Sequence, residues 1–327
     1  MSLAPASEKP GRSRWAQINP VYFVLLALLV LIVLQNPRFA EPTGYMNFLK
    51  RAAPLAILAA GQLYVIVSGG FDLSAGSLIT LVVVGSSMLT NNDPNATAWV
   101  IAVMYAIGVV VGCVNGLVVT VLRVPSLIAT LGMMISLGGL SMMWSGGSPR
   151  GYLPDTFRFF GRALIRDVPV IGLLPIAVIV MVVSGLLLWL LMSRTNLGRM
   201  IHALGDNPRA AQLAGVPVLP VRLSAFVVSS LSAVTAGILL GGFAGVSTDV
   251  GTGYELQAIT AAVLGGAQLL GGRGSVPAAI AGALTLQAIF TLLNFMGFPQ
   301  PLRQVVQGLI LIAAVGLAAY RKKQGAG

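Results

Sequence analysis

Apolar runs recur along almost the whole chain, and they restrict its fold more than any other feature. Val21 to Leu34, Leu173 to Met192 and Ala225 to Leu240 approach or reach the ~20 residues that a helix needs to cross a bilayer. With 56% hydrophobic and 9% charged residues and a mean hydropathy of +0.89, the 327 residues carry more apolar surface than a soluble core of this size could hide. The short alternating segments of an outer-membrane barrel are absent. The expected fold class is all-α: a polytopic bundle of membrane helices.

Reading the runs between polar, Gly and Pro punctuation gives ten expected spans, at 20–35, 52–68, 73–90, 98–120, 125–144, 169–192, 222–246, 255–270, 276–296 and 302–320. The division is a tail at 1–19, a membrane domain at 20–320 and a basic tail at 321–327. Lys9, Arg12 and Arg14 precede the first run as they would in a signal peptide. That run ends in Gln35-Asn36-Pro37-Arg38 without a small-x-small cleavage site, so it is expected to remain as a span. An even number of spans puts both termini on one side. Twelve of the 20 Lys and Arg then face the termini side and eight the other, a positive-inside bias that makes both termini cytoplasmic. The net charge of +11 is explained by this placement rather than by nucleic acid. Cys113, the only cysteine, allows no disulfide within the chain.

Two connections are long. The 145–168 loop is expected outside and carries Arg150, Arg158, Arg162 and Arg166, which suit either an acidic protein surface or lipid headgroups. The 193–221 loop is expected in the cytoplasm. Within it, Leu204 to Gly215 reads as a short helix with Asp206 or Asn207 as cap, Pro208 in the first turn and Gly215 as terminator. Its small face of Ala210, Ala211 and Ala214 serves equally a surface helix or one docked in a groove of another protein.

The doublets Gly69-Gly70, Gly265-Gly266 and Gly271-Gly272 interrupt apolar runs, either as close packing points or as broken helices beside a solute path. SGGFDLSAG after the second span and FAGVSTDVGTGYEL after the seventh are both acidic, Gly-rich turns followed by apolar runs, the pattern of an inverted repeat. Asp72, Asp249 and Glu255 fall at span ends, where acids serve as caps or anchors, and His202 reads as a solvated loop residue. Gln62, Asn115, Thr130 and Asn294 are amides and a hydroxyl within spans. They suit a neutral polyhydroxylated solute or hydrogen bonds between helices.

Catalytic chemistry finds no footing. A single histidine excludes H-E-x-x-H, no paired carboxylates share a span, and no metal or catalytic constellation is expected. The four lysines are followed by Pro10, Arg51, Lys323 and Gln324, so no P-loop can form.

Gly69-Gly70-Phe71-Asp72-Leu73-Ser74-Ala75-Gly76-Ser77 resembles the GG-I-D-L-S-V-G-S element of the ribose/xylose/galactose-type ABC transporter permeases. Pro125 to Gly132, the Leu204 to Gly215 loop, and Gly251 to Gly266 with Tyr254 and Glu255, running on to Gly272 and Ser275, match in order over some two thirds of the chain. The resemblance implies the membrane subunit of an importer in the bacterial inner membrane, paired with an identical or paralogous second permease. It also implies two cytoplasmic ATP-binding subunits that hold the ATP and Mg, with no cofactor in this chain, and an extracytoplasmic solute-binding protein. Gly205, Asn207, Arg209, Ala210, Ala211 and Gly215 would then form the coupling helix received by the ATPase. Gln257 stands where these permeases usually carry Asp, Phe71 replaces Ile and Ala75 replaces Val, so the solute does not carry over: a sugar is the family average, and a nucleoside or signalling furanosyl compound is an alternative. A stand-alone ion-coupled carrier is the reading from another class.

Overall fold

The computed structural model describes residues 19–169 and 171–299, with 301–302, 304–310, 312–313 and 316 beyond them. The tail at 321–327, all but Asn19 of the tail at 1–19 and part of the expected span 302–320 lie outside the described residues, together with the basic residues of both tails.

The chain folds as expected into a mostly helical bundle. Its centre is α2 (Pro42–Val67), which follows α1 (Val21–Gln35) after a one-turn 3₁₀ segment at Pro37–Ala40. Pro42 fits the first turn of α2, where no amide hydrogen bond is lost, whereas Pro54 lies inside the helix. Every side chain from Ala52 to Val67 is buried, and the small residues Ala52, Ala56, Ala59, Ala60 and Gly61 let neighbouring helices approach. One neighbour is α10 (Val218–Ala244), whose Ser232 lies where a side chain on Gly61 would point.

The outer face of α10 packs on α4 (Thr97–Thr120) through a stripe of glycines. Added Cβ atoms at Gly108, Gly112 and Gly116 would come within 2.7, 2.6 and 2.8 Å of Val234, Val227 and Leu223. This four-residue spacing of small residues is the usual device for close helix contact in membranes, where apolar burial alone gives no drive. α12 (Val276–Phe295) covers another face of α2, with α1 outside it. α5 (Ser126–Ser145) and α7 (Ile176–Arg194) are peripheral, and only 17% and 28% of their apolar windows are buried.

Among the described residues, six helices are long and apolar enough to cross a membrane: α2, α4, α5, α7, α10 and α12. α1 and α3 (Ala75–Thr90) are shorter apolar helices of 15 and 16 residues. The expected span 255–270 is cut to α11 (Tyr254–Leu264), whose 11 residues rise only about 16 Å, half of a hydrocarbon core. The expected span 169–192 begins late because Gly172–Pro175 pairs antiparallel with Leu164–Val168 as β2 and β1. Between α5 and this hairpin lies α6 (Asp155–Arg162). It is not a free loop: Phe157 is fully buried, and Gly161 abuts Gly242 near the C-terminal end of α10. α8 (Asn196–Asp206) and α9 (Pro208–Leu213) lie at the opposite, N-terminal end of α10.

Candidate functional site

The bundle's interior contains a stretch of non-helical chain, and it is built from the residues that the sequence singles out. α2 ends in a Schellman arrangement: Gly69, at φ +87°, donates its amide to the Ile66 carbonyl at 3.0 Å, and the Gly70 amide reaches Val65 at 2.9 Å. Only glycine enters that left-handed conformation without cost, so the first glycine doublet is a helix terminator. Gly266 repeats the device after α11, donating to Val263 while Ala267 donates to Ala262.

Beyond Gly70 the backbone runs on without helical bonds, yet Gly70, Asp72 and Ser74 are buried. Such a segment must find donors and acceptors from protein. α5 supplies them. The Phe71 amide donates to Ser126 Oγ and the Leu73 amide to Thr130 Oγ1, each at 3.1 Å, while the Thr130 hydroxyl lies 3.3 Å from the Phe71 carbonyl and 2.8 Å from that of Ser126.

Asp72, fully buried, organises the next turn. Its Oδ1 accepts from the amide of Ser74 at 3.0 Å and from the Ser74 hydroxyl at 2.6 Å, and its Oδ2 accepts from Ser229 Oγ of α10 at 2.9 Å. Asn115 of α4 donates to Ser74 Oγ at 2.9 Å. The Ser229 hydroxyl also lies 3.2 Å from Gln62 Oε1, and Gln62 Nε2 has no hydrogen-bond partner among the described residues. α2, α4 and α10 thus meet, through Gln62, Asn115 and Ser229, on one carboxylate and the serine that precedes α3.

Gln62, Asn115 and Thr130 accordingly stand together around this break, all buried. Asn294 does not join them. It is exposed on α12 and lines a separate cavity of about 460 Å³ with Arg38, Glu41 and Arg51.

The remaining motifs close on the same region. Gly76 faces the Glu255 carboxylate and Gly251, whose amide donates to Thr80 Oγ1 at 3.1 Å. Glu255 Oε1 accepts from Gly253 at 3.2 Å, and Tyr254 beside it opens α11. Gly265 packs on the backbone of Ala278 in α12. At the end of α2, the amide of Gly272 donates to the Val67 carbonyl at 2.9 Å, and Gly205 fits so closely against that carbonyl that no side chain could replace its hydrogen.

Gly205 belongs to the α8–α9 corner. Asn207 caps α9 by accepting from Arg209 and Ala210 amides at 3.1 and 3.0 Å, and Gly215, at φ +83°, terminates it. Asn207, Arg209, Ala210 and Gly215 are exposed, whereas Ala211 is turned inward. His202 is not a solvated loop residue. It is half-buried on α8, with Nδ1 2.8 Å from the Gly198 carbonyl and Nε2 3.4 Å from that of Gly274. At the far end, Arg150, Arg162 and Arg166 are exposed, and Arg158 donates from Nε to Gly242 at 3.4 Å.

Sequence reasoning passes over Ser229 and the Gly108-Gly112-Gly116 stripe. The stripe is visible as a G-x-x-x-G-x-x-x-G spacing. Ser229 is one serine among Ser229, Ser230 and Ser232 on an apolar helix, and nothing local selects it.

Apolar helices of spanning length with irregular backbone sealed inside them fit a multi-pass membrane protein. The chain matches a family model described as branched-chain amino acid transport system / permease component over residues 44–315, and it belongs to that family. It is 33% identical over 306 residues to the ribose import permease protein RbsC of Escherichia coli (strain K12), covering 92% of this chain and 93% of that protein. It is 32% identical over 325 residues to the galactose/methyl galactoside import permease protein MglC of Haemophilus influenzae, covering 94% and 96%. The galactofuranose transporter permease protein YtfT of E. coli is 31% identical over 333 residues, covering 98% and 95%. No solved structure matches. The resemblance to ribose/xylose/galactose-type ABC transporter permeases therefore holds, and the chain is a permease component, not an enzyme.

Proposed function

We propose that this chain is the membrane subunit of an ATP-driven importer for a sugar or sugar-like solute, in the bacterial inner membrane with both termini cytoplasmic. One observation carries the reading: Gly205, at the α8–α9 corner, is packed without clearance on the last carbonyl of α2, two residues before the helix break at Gly69. Force applied to α9 reaches the break through backbone contacts, with no flexible side chain between. In this account a separate ATP-binding subunit, carrying the ATP and Mg, receives α9 through exposed Asn207, Arg209, Ala210 and Gly215. Gly205 and Ala211 anchor α9 to the bundle, and movement of the corner shifts the break between two arrangements, opening the path alternately to either side.

A second permease subunit, identical or paralogous, completes the path along the sparsely buried faces of α5 and α7, lipid covering the rest. A solute-binding protein docks at the opposite end, over Arg150, Arg158, Arg162 and Arg166. The ten-span topology is retained in this reading with α1, α3 and α11 as short or broken members, and the α2–α3 and α10–α11 units as the two halves of an inverted repeat. The ribose, galactose and galactofuranose relatives support a sugar cargo, and the last favours a furanosyl compound as the second reading.

The test is ATPase activity of the purified assembly in lipid nanodiscs, with its binding protein loaded by ribose, galactose or galactofuranose. Stimulation by one loaded binding protein supports the reading and names the solute. An assembly that copurifies with no ATPase overturns it.

A further inference from the structure

A cavity of about 730 Å³ opens at the α8–α9 end of the bundle, between the α4–α5 turn, the segment joining α9 to α10, and Gly69-Gly70. Its charged lining is of one sign: Arg123 from the α4–α5 turn and Arg222 from the first turns of α10, with no Asp or Glu among the lining residues. Asp72, the acid of the helix break, is not among the lining residues and already accepts from both Ser74 donors and from Ser229. Thr120, also in the lining, has a buried hydroxyl oxygen without a hydrogen-bond partner among the described residues.

Two helix N-termini add to this field. Ser126 opens α5 and Val218 and Leu219 open α10, and all three line the cavity. Neither helix has a side-chain cap or an acid in its first turn, so their leading amides and the positive ends of their dipoles remain available. Arg123 is held in this position by a left-handed backbone conformation, φ +55°, unusual for a long side chain. A neutral solute has no use for two guanidiniums and two positive helix ends converging on one space, whereas a phosphate uses all of them.

We propose that this cavity is a binding site for a phosphate group, held by Arg123 and Arg222 and by the first turns of α5 and α10. The group is carried by a soluble phosphorylated metabolite or by an anionic lipid headgroup. Gln212, on α9, and Val216, just beyond it, line the cavity together with Gly69 and Gly70. An occupant therefore bridges α9, α5 and the end of α2. The site's existence does not depend on the transport reading.

The experiment uses the full-length permease in nanodiscs of neutral phosphatidylcholine. Binding of inorganic phosphate and of a phosphorylated pentose is measured by microscale thermophoresis. In a second arm, the permease is placed in nanodiscs of equal phosphatidylglycerol and phosphatidylcholine, and retention of one lipid against the other is measured by native mass spectrometry. The expected result is saturable binding in at least one arm, weakened at least tenfold by Arg123→Gln and by Arg222→Gln, and unchanged by Arg38→Gln at the other cavity. A soluble probe alone identifies a metabolite site, and lipid retention alone a headgroup site. Arg222 is half-buried, so if Arg222→Gln fails to fold, Arg123→Gln together with Gln212→Glu, which places an acid at the rim, decides the matter. No binding in either arm, or binding that survives Arg123→Gln and Gln212→Glu unchanged, overturns the proposal.

Discussion

Asp72 is the residue whose replacement separates a structural anchor from a transport charge. It accepts three hydrogen bonds in a fully buried setting, two from Ser74 and one from Ser229. Asp72→Ala leaves those donors facing a void. The Ser229 hydroxyl can turn to Gln62 Oε1, already 3.2 Å away, so the cost falls on the two Ser74 donors and the lost side chain. At about 1–3 kcal/mol for each buried group left unpaired, the two donors alone cost about 2–6 kcal/mol. Asp72→Asn keeps one acceptor oxygen for Ser74 and presents its amide to Ser229 Oγ, which can accept while donating to Gln62. That change should cost about 1 kcal/mol or less. The single cysteine offers the assay: Cys113 is partly buried on α4, the helix that carries Asn115, so the rise in its reaction with a fluorogenic maleimide on heating reports the unfolding of that helix from the bundle. Asp72→Ala should melt several degrees below wild type, and Asp72→Asn close to it with uptake retained. If both variants melt like the wild type, the anchoring argument is wrong. If Asp72→Asn keeps its stability but loses uptake, the charge itself serves transport.

Other substitutions test the packing and the corner. Gly112→Ala places a methyl group 2.6 Å from Val227 Cα and should cost about 1–3 kcal/mol, while Gly139→Ala, with open space around it, should leave the melting temperature unchanged. Asn207→Ala removes the cap of α9 and should lower stability by about 1 kcal/mol while weakening copurification of the ATPase. Arg209→Glu, at an exposed position, should release the ATPase and abolish uptake with an unaltered melt. Ala211 is buried, so a charge there would test packing and docking together. Gly205→Ala should abolish uptake by prising α8 from Val67; normal uptake would remove the corner from the coupling route.

The helices were legible in the sequence because the hydrocarbon requirement writes itself as long apolar runs, and α1 to α5, α7, α10 and α12 fall where those runs are. Their true extents were not. Pro42 to Arg51 continues α2 through two basic residues, and Gly265-Gly266 ends α11 after eleven. A glycine doublet in an apolar run reads equally as a packing point or a terminator, and only the left-handed backbone at Gly69 and Gly266 decides between them. The local caps of α9 were readable, since Asn207, Pro208 and Gly215 act within a few residues of themselves. The site was readable only in its parts. Gln62, Asn115 and Thr130 stand out as polar residues in apolar runs, but their meeting with Asp72 and Ser229 is tertiary. Asn294 has the same local signature and lies elsewhere.

The central claim is that transport through this chain is driven by ATP through the α8–α9 corner. Its most direct test is uptake of labelled sugar by cells expressing the chain with its partner subunits, comparing depletion of ATP with collapse of the ion gradients by an uncoupler under maintained ATP. The account predicts that uptake stops on ATP depletion, survives the uncoupler, and is absent in Arg209→Glu. Uptake that persists without ATP and disappears with the ion gradient, unchanged by Arg209→Glu, would contradict it.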